Sequence, residues 1–198
     1  MKLYYSPGAC SLSPHIVLHE SGLPFTGVLA STKTKKLQDG TDFHTINELG
    51  YVPVLELDNG ERLREGPAIV QYIADQVPEK NLAPANGTME RYRLQEWLTF
   101  IGTELHKGHS PLFAPGTPED YKPLVRERLQ RRFAWTDKQL AGKDYLMGSF
   151  SVADAYQRKM ELLHSGKGPV LLDVQCYRQT GHSPSDQSSY REREEIEM

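Results

Sequence analysis

A chain of 198 residues with a formal net charge of −3 has room for one large domain or two small ones, and its slight acidic excess predicts no general affinity for nucleic acid or an anionic membrane. No stretch approaches the roughly 18 consecutive apolar residues of a membrane span, and the N-terminus does not read as a signal peptide, so the expected compartment is cytoplasmic. Cys10 and Cys176, far apart in sequence, offer neither a disulfide framework nor a zinc-type pair, and no metal site is expected.

Leu3, Tyr4 and Tyr5 predict a short strand, Pro7-Gly8 a turn, and from Ser11 onward Leu12, Ile16 and Leu18 suit one face of a helix. Cys10 then falls at a helix start, where unpaired backbone N–H groups and the positive end of the dipole lower a thiol pKa. The competing reading is a small buried hydrophobe. A second strand is expected around Phe25 to Leu29, followed by a polar irregular region containing the charge run Lys33 to Lys36. Val52 to Leu57, the Asp58-Asn59-Gly60 turn and Glu61 to Leu63 predict a β-hairpin. Gly66-Pro67 opens a helix, with proline at a first-turn position. Residues 1–77 thus read as a compact α/β unit.

Residues 78–87, with Pro78, Pro84 and Gly87, read as a linker. A helical unit is expected over 88–163. Met89, Tyr92, Leu94, Trp97, Leu98, Ile101 and Leu105 form a broad apolar stripe. Thr117-Pro118-Glu119-Asp120 offers an N-cap, proline at N1 and acids in a first turn, and Ser151-Val152-Ala153-Asp154 is a Ser-x-x-Asp capping box. Pattern alone gives α/β followed by all-α.

The N-terminal run around Cys10, Gly50-Tyr51-Val52-Pro53-Val54, Arg64-Glu65-Gly66-Pro67-Ala68-Ile69, Glu104-Leu105-His106-Lys107-Gly108 and Ser151 to Tyr156 together resemble a bacterial beta-class glutathione S-transferase over residues 1–156. That resemblance implies a thioredoxin-like N-terminal domain holding glutathione and an all-α C-terminal domain completing a pocket for a small electrophile. It also implies a homodimer. Glutathione is the implied co-substrate, with no further cofactor.

The resemblance makes Cys10 the residue facing the glutathione sulfur, able to form a mixed disulfide, and Ser11 a hydroxyl donor to that sulfur; on the residues alone, Ser11 could equally cap an N–H group. Pro53 is implied to follow a cis bond, with Val52 offering its backbone to the cysteinyl part of glutathione. Glu65 and Gly66 are implied to grip the γ-glutamyl end, Gly66 through its N–H alone. Lys35 suits the glycyl carboxylate. His106 and Lys107 are implied to lean toward the cleft or across a dimer interface, and Glu104 toward the partner's glutathione. Thr99 stands where asparagine is common in that contact, and His109 where an aromatic residue is usual.

After Tyr156 the likeness stops. Relatives continue into an apolar buried helix, whereas this chain turns polar, and residues 164–198 form an atypical tail expected to lack order, with a lone β-like run at Pro169 to Val174. The break suggests a frame shift or a recombination just inside the capping box, leaving the all-α domain incomplete. Two functions remain open: conjugation of glutathione to electrophiles, with thiol–disulfide exchange through Cys10, or an impaired protein that binds glutathione or hydrophobic ligands without turnover.

Overall fold

The computed structural model describes residues 1–156. Its first half is a four-stranded sheet in the order β2-β1-β3-β4, built from β1 (Lys2–Tyr5), β2 (Thr26–Leu29), β3 (Val54–Glu56) and β4 (Arg62–Arg64). β1 and β2 run parallel, joined through α1 (Leu12–Ser21), while β3 pairs antiparallel with both β1 and β4. Alternation assigns the two faces. Leu3 and Leu55 join one core cluster with Val17, Ile69 and Ile73, beneath α1 and α2 (Gly66–Asp75). Tyr4 and Val54 point the other way and pack with Ala30, Phe43 and Val52 of the irregular segment.

The expected elements of this half all form, with shorter strands. Pro53 has no N–H to give to a ladder, so β3 begins one residue later. The hairpin turn forms at Asp58-Asn59-Gly60, with Gly60 alone of the three at positive φ, 86°.

Residues 78–87 carry a single helical turn, Pro78–Lys80, and bury Leu82. The second half comprises α3 (Met89–Phe100), a π-helical segment (Ile101–His106), a 3₁₀ turn (Lys107–His109), α4 (Ser110–Phe113) and α5 (Tyr121–Leu140). The apolar stripe is narrower than its sequence suggests. Leu94, Leu98, Ile101 and Leu105 are buried in the same cluster as the sheet, whereas Met89 and Tyr92 are exposed.

α5 starts three residues later than the Thr117-Pro118 signal implies, and Pro123 supplies the reason. A helix beginning at Pro118 would place Pro123 in its interior, where it lacks the N–H for the i−4 bond; beginning at Tyr121 puts it in the first turn. The Ser151 capping box forms as expected. Asp154 accepts from Ser151 N at 2.9 Å, Ser151 Oγ at 2.8 Å and Leu146 N at 2.8 Å, opening a helical turn at 152–156.

Arg91 joins the halves. Its guanidinium, 3% exposed, forks onto both Asp75 carboxylate oxygens at 2.8 and 2.7 Å, and it also donates to Pro84 O at 2.8 Å and Gln71 Oε1 at 3.3 Å. This ties the end of α2, the connecting segment and the start of α3 into one unit.

Candidate functional site

Between the N-terminal half and the π-helical segment lies a cleft of about 510 Å³. Cys10 stands at its edge, one residue before the N-cap of α1, and its Sγ donates to Val52 O at 2.9 Å. The strand-like run ending at β3 passes directly opposite, and the Val52–Pro53 bond is cis, as the resemblance implies.

A second wall comes from the turn into α2. Glu65, just before that helix, adopts φ 68° and ψ 117°, a region non-glycine residues rarely occupy. Glu65, Gly66 and Pro67 line one corner of the cleft. Gly66 has a steric reason to lack a side chain: a Cβ there would come within 2.8 Å of the Tyr156 ring. Lys35 closes a third side, donating from Nζ to Gly50 O at 2.8 Å and lying 5.5 Å above the Tyr51 ring. From the helical half, Thr99, His106 and Lys107 face the same space.

Nine of the eleven residues singled out from sequence thus converge: Cys10, Lys35, Val52, Pro53, Glu65, Gly66, Thr99, His106 and Lys107. Ser11 does not. Its hydroxyl is buried and committed across the turn, accepting from Ser6 N at 3.0 Å and donating to Ser6 O at 3.1 Å, so it neither caps α1 nor is turned toward a sulfur. Glu104 lies outside the cleft as well. It pairs with Arg132 at 2.9 Å and Arg128 at 3.2 Å, fastening the π-helical segment to α5, and those guanidinium groups hold its carboxyl below the usual range. His109 also turns away, with Nδ1 2.7 Å from Leu105 O and its ring against Phe133.

Tyr156 was not anticipated. Its ring is buried at the back of the cleft, with burial foremost and then the charges of Cys10 and Glu65 pushing its phenol pKa up. The signal for it was present only as the last residue of the capping motif. Among the described residues no group of three or more potential metal ligands occurs, and no helix is long and apolar enough to cross a membrane.

The comparisons fit this architecture. The model of the glutathione S-transferase N-terminal domain matches residues 8–76. Glutathione S-transferase GstA of Escherichia coli O157:H7 is 48% identical over 157 residues, spanning 79% of this chain and 78% of that protein. The chain belongs to the glutathione S-transferase family. Among solved structures, a ternary complex of BphK, a bacterial glutathione S-transferase, superposes with a TM-score of 0.81 at 53% identity, covering 84% of each chain. A sphingomonad glutathione S-transferase complexed with glutathione gives 0.81 at 48%, covering 85% of this chain and 84% of its own.

The end of this transferase is similar to something else. Residues 142–198 match the model of the dehydrogenase E1 component. Over 50 residues the chain is 40% identical to the pyruvate dehydrogenase E1 component subunit alpha of Zymomonas mobilis, 25% of this chain and 14% of that protein. The atypical tail at 164–198 and its β-like run lie outside the described residues, which the E1 match overlaps only at 142–156.

Proposed function

We propose that this transferase binds glutathione in the cleft and conjugates its thiol to small electrophiles. The observation that carries the reading is the meeting of Cys10 at the start of α1, the Val52-Pro53 backbone opposite it, and Glu65-Gly66 at the start of α2. A tripeptide has three features to hold, and the cleft offers one group for each. Val52 presents backbone atoms to the cysteinyl part. Glu65 meets the γ-glutamyl ammonium while the Gly66 N–H meets its α-carboxylate, and Lys35 takes the glycyl carboxylate. The thiol then lies beside Cys10, with His106, Lys107 and Thr99 bounding space for an electrophile. Conjugation proceeds by loss of the thiol proton to water, attack of sulfur on the electrophilic carbon, and departure of the leaving group with its electron pair.

Cys10 adds thiol–disulfide exchange to this repertoire. Its thiolate attacks one sulfur of oxidised glutathione, forming a Cys10–glutathione disulfide and releasing the other half as thiolate. Exposed Leu49, Tyr51, Met89 and Tyr92 supply apolar surface for a homodimer, and the cytoplasm is its expected compartment.

A second reading is favoured by the E1-like end. A frame-shifted stretch has no reason to resemble any family in register, so this likeness supports recombination, with a segment of E1 type joined near the capping box. On that reading the helical domain over 88–163 lacks its usual continuation, and the protein binds glutathione without turnover. Thermal unfolding with and without glutathione, followed by an assay with an aromatic halide, separates the two readings. A midpoint raised by glutathione together with conjugation supports the enzyme. A raised midpoint without conjugation leaves the binding protein, and an indifferent midpoint refutes both.

A further inference from the structure

α1 carries His15 and His19 one turn apart, and the fold brings their Nε2 atoms to 3.3 Å. Residues four apart share a helix face, and two histidines at that spacing can ligate one zinc ion. Aromatic neighbours hold both rings in place. Phe25 meets them edge to face, its centroid 5.6 Å from His15 and 5.2 Å from His19, and Tyr5 packs on His15 at 5.1 Å. These contacts leave His15 half-buried and His19 exposed, so the pair of nitrogens is reachable from water. Neither imidazole lines the cleft.

The separation of the two nitrogens selects a coordination geometry. Bound to one tetrahedral zinc at about 2.0–2.1 Å they would stand about 3.3–3.4 Å apart, whereas adjacent positions of a square or octahedral site with like bond lengths would bring them to about 2.8–3.0 Å. The observed 3.3 Å fits the tetrahedral case. We infer that His15 and His19 form a surface site for one zinc-like divalent cation, with both Nε2 atoms as ligands. Two side chains fall short of an all-protein site, so water completes the coordination. In the bare pair one Nε2–H donates to the other Nε2; on coordination that proton passes to Nδ1 of its own ring, and both neutral imidazoles turn a lone pair to the ion. Because Phe25 and Tyr5 already fix the rings, little side-chain freedom is lost on binding. His19 also stands in the last turn of α1, where the helix dipole favours a cation.

The test uses the full chain with Cys10 and Cys176 alkylated, so that neither thiol competes for metal, and titrates zinc sulfate by calorimetry. Wild type should take up one ion at this pair. His19→Gln removes the exposed ring and leaves His15 packed on Tyr5 and Phe25, and it should weaken uptake at least about tenfold, the lower figure for losing a mere outer-shell partner. His15→Gln should do the same, and the double variant should lose no more than either single one, because one remaining imidazole no longer chelates. Equal affinity in wild type and His19→Gln overturns the proposal, as does an absence of uptake, which would leave the pair a hydrogen bond between imidazoles. Nitrogen-15 spectra of the wild-type side chains need no variant. Zinc should shift the Nε2 resonances of His15 and His19 together, and shifts confined to other histidines would overturn the proposal even if a variant failed to fold.

Discussion

Arg91 and Asp75 form a pair whose two halves should respond unequally to mutation. Arg91→Met removes the charge but keeps an unbranched chain of similar length. Asp75 is left with its side chain 35% exposed, within reach of water, and Pro84 O loses a donor. Asp75→Ala does the reverse: a guanidinium 3% exposed stays charged, with only Pro84 O and Gln71 Oε1 as partners. Removing one partner of a buried ion pair costs about 3–5 kcal/mol. The solvent path to Asp75 puts Arg91→Met at the low end, about 3, and the missing path to Arg91 puts Asp75→Ala at the high end, about 5. Against a total stability of roughly 5–15 kcal/mol either is severe. Urea unfolding at neutral pH measures both. Arg91 holds the Asp75 carboxyl below its ordinary value, so folding favours the ionised form. The stabilisation is therefore present above the unfolded carboxyl pKa, about 3.9, and lost as pH falls through the lower folded value. Equal costs for the two variants, or a wild-type advantage over Asp75→Ala that persists at pH below both values, would refute this account.

Other perturbations address the cleft and the capping box. Glu65→Gly relieves a backbone conformation costing about 1–3 kcal/mol, less about 0.5–1 for glycine's unfolded-state freedom, so unfolding should show a net gain near 1 kcal/mol. The glutathione-induced rise in midpoint should shrink in the same variant, and Glu65→Gln should lose the ligand effect without the gain. Cys10→Ala should abolish the mixed disulfide detected by intact mass after exposure to oxidised glutathione, while the midpoint still rises with reduced glutathione. Asp154→Ala orphans the Leu146 and Ser151 N–H groups and should cost about 2–4 kcal/mol in urea unfolding, more than Ser151→Ala, which spares both donors.

Much of the N-terminal half was legible because its signals are local. Asp58-Asn59-Gly60 marks a hairpin turn, Gly66-Pro67 a helix start, and alternation over Leu3-Tyr4 and Val54-Leu55 assigns both sheet faces. What the sequence hid depends on side-chain direction or on two signals in competition. Ser11 adjoins Cys10 in the chain, but its hydroxyl turns back over the Pro7-Gly8 turn to Ser6, which adjacency cannot reveal. Glu104 is drawn to α5 by two arginines 24 and 28 residues downstream. The start of α5 set a Thr-Pro signal against Pro123, and the steric exclusion of an interior proline outweighs a capping preference of about 1 kcal/mol. Tyr156 reaches the cleft only because α2 and the π-helical segment each place a glycine against it.

The position of the join relative to the cleft bears most directly on activity. Among the described residues, the last that lines the cleft, Tyr156, is held from its N-terminal side. Asp154 gathers three donors from Leu146 and Ser151, Val152 N–H reaches Leu82 O at 3.0 Å, and Val152, Ala153 and Ala155 are buried in the core shared with the sheet. These contacts anchor the turn at 152–156 to the connecting segment and to the loop before it, so its placement is encoded upstream of the join. The groups proposed to bind glutathione and to bound the electrophile space all lie within residues 1–156. Loss of chemistry in a protein that still unfolds cooperatively and is stabilised by glutathione would show that turnover needs more than these side chains, because a formed and occupied cleft already contains each one assigned a role.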